Sequence, residues 1–111
     1  MKKLTLNFSI LSTLLLGSSV FSESAFAENE EGMALFEHRC SLCHRQGGTG
    51  TFMLDRRLGA AESLLEQRNN LTEAYVNTVV RWGVGSMPRF SRGEITDQEL
   101  EKIVAYLTDE Q

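Results

Sequence analysis

One short string constrains this chain more than anything else in it: Cys40-Ser41-Leu42-Cys43-His44. It holds the only two cysteines, three residues apart, with one of the two histidines directly behind the second. On a helical turn, side chains three and four positions apart share a face. Two thiols and an imidazole so spaced can meet one flat, rigid group along one edge. Cys-x-x-Cys-His is the attachment pattern of a c-type haem, in which two thioethers hold the porphyrin and the histidine ligates the iron. The string therefore predicts Cys40 and Cys43 as covalent anchors of one haem c, with His44 as an axial ligand.

Other chemistries use parts of this pattern. A redox disulfide of the same spacing belongs in a βαβ context, and no strand pattern surrounds these residues. A zinc site needs four well-spaced ligands. The remaining histidine, His38, sits too close to Cys40 for an easy tetrahedron and reads as exposed. Chance has few ways to write this string with so few cysteines and histidines. Haem attachment is the preferred reading.

The N-terminus agrees with it. Lys2 and Lys3 precede an apolar run densest at Ile10 to Leu16, and Ala25-Phe26-Ala27 closes the segment as a cleavage pattern. Residues 1–27 read as a secretory signal peptide. The run is too short for a membrane anchor and is broken by Asn7, Ser9, Ser12 and Thr13. Export to an oxidising compartment, the periplasm, is expected, with no stable membrane insertion after cleavage. Residues 28–111 remain, on the order of 80 residues and one domain. A domain that small buries little apolar surface and needs a staple. If both cysteines hold haem, none is left for a structural disulfide, so the haem must centre the core.

The chain carries 11 basic against 15 acidic side chains. Removing residues 1–27 leaves nine against fourteen, or −5. That balance argues against nucleic acid or anionic lipid as partner. It suits a redox protein with a basic docking patch, and it also serves solubility.

Along residues 28–111, Asn29 is placed to cap a helix reaching Cys43, with Phe36, Cys40 and Cys43 on one face. Gly32 in that helix predicts close approach by another helix. Arg45 to Thr51 reads as a loop wrapping the His44 side, where a backbone carbonyl would accept from the histidine's free nitrogen. Met53 and Leu54 are expected as haem wall. Arg56 and Arg57 suit haem propionates, and Leu58 to Gln67 reads as a short or irregular helix.

Leu71 to Trp82 is a clearer helix, with Thr72 as N-cap and Gly83 as stop. Tyr75, Val76, Val79 and Val80 are its expected stripe, and Arg81 a second propionate contact. Met87 precedes Pro88, the only proline, so its backbone is biased to an extended form. A sixth iron ligand is needed, and Met87 is preferred over Met53 and Met33. Thr96 and Glu99 form a capping box, with Ile95 and Leu100 as hydrophobic staple. Leu100, Ile103, Val104 and Leu107 follow helical spacing. Tyr106 is expected to meet Phe36 and Gly32.

With these residues placed, the chain resembles a small class I cytochrome c. The likeness rests on Gly32-x-x-x-Phe36 before the haem motif, on Met87-Pro88, and on a last helix ending Val104-Ala105-Tyr106-Leu107. It implies an all-α fold in which the terminal helices cross beside the haem. It further implies His44/Met87 axial ligation and single-electron transfer rather than catalysis. A narrower likeness runs through Leu71 to Val76, then Val80-Arg81-x-Gly83, then Met87-Pro88-x-Phe90. It is similar to the cytochrome subunit of p-cresol methylhydroxylase and related flavocytochromes. That likeness implies a flavoprotein dehydrogenase acting on 4-alkylphenols as electron donor. The class usually has a proline after the haem motif whose carbonyl accepts from the ligating histidine; Thr51 stands in its place here. The alternatives are a free carrier to a terminal oxidase, and a five-coordinate haem enzyme or gas sensor.

Overall fold

The computed structural model describes residues 23–109. Residues 1–22, most of the expected signal peptide, lie outside the described residues. Five α-helices form: α1 (Glu23–Arg39), α2 (Ser41–His44), α3 (Thr49–Leu58), α4 (Glu73–Trp82) and α5 (Asp97–Thr108). Among the described residues no strand forms beyond one isolated bridge, Val84 with Met87. The expected all-α class is what the chain adopts.

α1 starts earlier than Asn29, so that residue lies inside the helix and does not cap it. In the uncleaved chain the preceding run, Ala25-Phe26-Ala27-Glu28, contains good helix formers and carries the helix through Asn29; removal of residues 1–27 would leave Asn29 one residue from the new N-terminus. The helix is interrupted at Cys40. There the Ser41 hydroxyl donates to the Glu37 carbonyl at 2.6 Å, a back-bond that competes with the helical ladder and bends it. The chain recovers at once: the His44 amide donates to the Cys40 carbonyl at 3.0 Å.

α1 and α5 form the main packing interface. Gly32 is buried at their crossing, where a Cβ would lie 2.3 Å from the Lys102 carbonyl oxygen and 2.8 Å from Tyr106 Cβ. Only a bare backbone lets the axes come this close. One turn on, Phe36, 1% exposed, meets Tyr106 with ring centroids 5.8 Å apart. The expected meeting of Tyr106 with Gly32 and Phe36 is therefore present. Ion pairs Arg39–Glu99 and Lys102–Glu31 rim the crossing, where exposure limits each to well under about 1 kcal/mol.

α5 begins as its sequence predicts. The Thr96 hydroxyl accepts from the Glu99 amide, and the Glu99 carboxylate accepts from the Thr96 amide at 2.8 Å. Leu100, Ile103, Val104 and Leu107 join Ile95, Val76, Val80, Phe36 and Tyr106 in one core. The α4 stripe is narrower than expected. Val76 and Val80 are buried, but Tyr75 is 50% exposed. α4 packs chiefly on α5, and such a contact buries i and i+4 while leaving their flanks open.

Two further boundaries moved. The loop expected through Thr51 ends at Gly48, because α3 begins at Thr49. Leu58 to Gln67 divides into the end of α3 and two 3-10 turns, Ala60–Glu62 and Leu65–Gln67.

Candidate haem-binding site

The Cys40–His44 turn sits where α1 leaves the core. Cys40 is half-buried against the core cluster and Cys43 is exposed. Both thiols are free. Burial, with Cys43 nearby, pushes the Cys40 thiol up to about 11, against the smaller opposing pull of Arg39. His44 is half-buried, and burial lowers its imidazole pKa. That keeps the ring neutral, the form that ligates a metal. Among the described residues, His44 Nδ1 is the buried side-chain polar atom without a hydrogen-bond partner. Leaving such an atom orphaned costs about 1–3 kcal/mol, a cost characteristic of a functional position. Two free thiols and a neutral imidazole on one turn are the donor set haem c requires, and the site fits that group.

The backbone after His44 is moulded to the turn. At Gly48 a Cβ would lie 2.3 Å from the Cys43 carbonyl oxygen. At Gly50 it would lie 3.1 Å from His44 Cε1 and 3.2 Å from Nδ1. These two glycines were not singled out by sequence reasoning, although the Gly47-Gly48-Thr49-Gly50 run carried the signal. Thr51 also departs from expectation. It lies inside α3, so its carbonyl belongs to the helical ladder. Its hydroxyl does the bonding instead, donating to the Arg45 carbonyl at 2.9 Å.

Met87 is half-buried and packs on the same core cluster as Cys40. Its backbone is held by a two-residue turn: the Met87 amide donates to the Val84 carbonyl at 2.9 Å, and the Val84 amide returns to the Met87 carbonyl at 3.1 Å. Gly85 takes φ +57° at the first central position, the place glycine fills in tight hairpins. Gly83 has φ +73°, and a Cβ there would press on the Met87 carbonyl oxygen at 2.8 Å.

Arg81 is committed to this loop. Its Nη1 donates to the carbonyls of Phe90 (3.2 Å) and Ile95 (2.9 Å), and its Nη2 to Asp97 (2.9 Å). The residue expected at a propionate thus ties the Met87 loop to the start of α5. Arg57 is exposed in the last turn of α3. Arg56 stacks over the Phe52 ring at 5.6 Å. Met53 is 45% exposed and Leu54 half-buried. His38 is exposed, and among the described residues no group of three or more His, Cys, Asp or Glu side chains gathers as a metal cluster.

Comparison with known proteins bears on this geometry. The family model described as cytochrome c oxidase, cbb3-type, subunit III matches residues 27–107. A cytochrome c6 of Thermosynechococcus vestitus is 30% identical over 84 residues, covering 76% of this chain and 71% of that protein. No solved structure matches. The family match runs unbroken from α1 through the Cys40–His44 turn and the Met87 loop to the end of the α5 core, and it makes this chain a class I c-type cytochrome of the family named for cbb3-type oxidase subunit III, a mono-haem electron carrier with covalent haem c.

Proposed function

We propose that the chain is a periplasmic single-electron shuttle in which Cys40 and Cys43 form the thioethers and His44 and Met87 are the axial ligands. The observation that carries this reading is the Cys40–His44 turn itself, with free thiols and a half-buried, neutral imidazole on one turn. The haem supplies the one-electron couple. His44 would ligate the iron, with its Nδ1 kept from bulk water. Met87 brings a soft thioether from a loop braced by Arg81, and such a donor favours the reduced iron and raises its potential relative to a second histidine. Pro88 keeps Met87 extended, so the side chain reaches inward without help from a helix. Arg57 is offered as a propionate contact from the exposed end of α3.

Export rests on the pattern at residues 1–27. No helix among the described residues is long and apolar enough to cross a membrane. The electron donor is a redox protein. Transfer to a terminal oxidase draws on the family's description as a subunit of a cbb3-type cytochrome c oxidase. The role of electron-accepting subunit to a flavoprotein dehydrogenase rests on the likeness at Leu71–Val76, Val80–Gly83 and Met87–Phe90 alone. Purification from the native host with flavin analysis separates the two: a stoichiometric flavin supports the subunit, and a flavin-free monomer supports the carrier. The site itself is tested by Cys40→Ala, Cys43→Ala and His44→Ala, each expected to leave little folded holoprotein. Normal covalent holoprotein from His44→Ala removes the basis of the reading.

A further inference from the structure

We propose that Thr51 is a positioning residue for His44, acting through the carbonyl of Arg45. Thr51 is 7% exposed, one of two buried polar side chains among the described residues. Thr51 is the third residue of α3, with no carbonyl of its own helix four residues behind it. Its hydroxyl reaches six residues back, to the carbonyl of the residue that follows His44. The Gly48 amide donates to that same oxygen at 2.9 Å. Two donors from the start of α3 thus converge on one acceptor beside the histidine.

The consequence is a seam between α3 and the Cys43–Arg45 backbone. Gly48 and Gly50 both lie against the Cys43 carbonyl oxygen, closer than a Cβ allows, and a Cβ at Gly50 would also sit tightly, 3.1–3.2 Å, against the imidazole edge. Among the described residues, the Thr51 hydroxyl makes the only side-chain hydrogen bond across this seam. A seam that fixes the face of the ring also fixes how far water reaches it. Water access and hydrogen bonding at a ligating histidine tune the metal, and solvent exposure favours the more highly charged oxidised state, lowering the potential. The inference rests on His44 being the iron ligand.

The test compares holoproteins carrying Thr51→Val and Thr51→Ser. Valine keeps the shape and deletes the donor; serine keeps the donor. Thr51→Val lowers the midpoint potential and speeds exchange of the Gly48 amide about tenfold, the scale of one lost hydrogen bond. Thr51→Ser restores both. A Thr51→Val protein that melts earlier at unchanged potential overturns the proposal, as does a shift that serine fails to reverse. Where Thr51→Val does not assemble, Gly50→Ala probes the same seam, and an unchanged potential there is equally fatal. Failure of the underlying ligand assignment looks different: His44→Ala then takes up haem normally, whatever residue stands at position 51.

Discussion

At the scale of single residues, the two side chains proposed as iron ligands differ in how the fold holds them. His44 is fixed by its motif neighbours and by bare backbone at Gly48 and Gly50. Met87 is fixed by a turn and by hydrogen bonds remote from its own side chain. Met87→Ala is therefore expected to keep the haem attached while opening the sixth position. The potential falls and carbon monoxide binds the reduced protein, as followed by absorbance. If Met53→Ala does this and Met87→Ala does not, the assignment moves to Met53. His44 was legible in the sequence because its chemistry depends on local spacing. The work of Gly50 and of the Thr51 hydroxyl was not, because both act across a gap that closes only when α3 folds back on the turn.

Among the elements, the α1–α5 crossing and the Met87 loop carry the architecture. Gly32→Ala would drive a methyl into the Lys102 carbonyl oxygen, backbone that cannot step aside. Overpacking of this kind costs about 1–3 kcal/mol or more, to be read as a lower denaturation midpoint of the holoprotein. The loop depends on Asp97, which binds Arg81 and Arg92 together. The hydrogen bond from Arg92, then that from Arg81, holds its carboxyl below the usual carboxylate range. A folded-state pKa depressed below the unfolded value gives stability present above that value and lost as pH falls through the folded one. Acid below about pH 4 should thus loosen the loop and release Met87, seen as loss of the iron–methionine band. Asp97→Asn should release it at higher pH than wild type. An identical acid midpoint in the two proteins would count against the Arg81–Asp97 brace. The T-x-x-E box of α5 was plain from sequence, since a cap is a four-residue affair. The Arg81 brace spans sixteen residues, and arginine's preference for carboxylates pointed equally well to a propionate.

For the whole molecule, residues 28–111 carry a net charge of −5, while the Met87 side carries Arg89 and Arg92, with Glu94, around a cleft with Trp82 and Phe90. Phe90 is half-buried and packs on the core. Trp82, 79% exposed, is the better placed aromatic for a partner. A partner that meets this arginine-rich face must offer an acidic patch there, unlike the basic patch that the net charge suits; electron transfer with such a partner should slow as salt rises, and Trp82→Ala should slow it further with an unchanged haem spectrum. Salt-independent rates together with a silent Trp82→Ala would remove this face from docking.

The all-α class came with the family resemblance; what the sequence determined by itself from local spacing was the Cys-x-x-Cys-His turn, the capped helices of Thr72 and Thr96, and Gly32 as a point of close approach. Each depends on interactions within about four residues, or on a residue that only one environment explains. Tertiary structure alone decided the rest. It ended the loop at Gly48, turned Tyr75 outward, gave Arg81 to the backbone of its own loop, and set the Thr51 hydroxyl on Arg45. In each case several partners were chemically equivalent, and only the packing of α3, α4 and α5 brought one of them within reach.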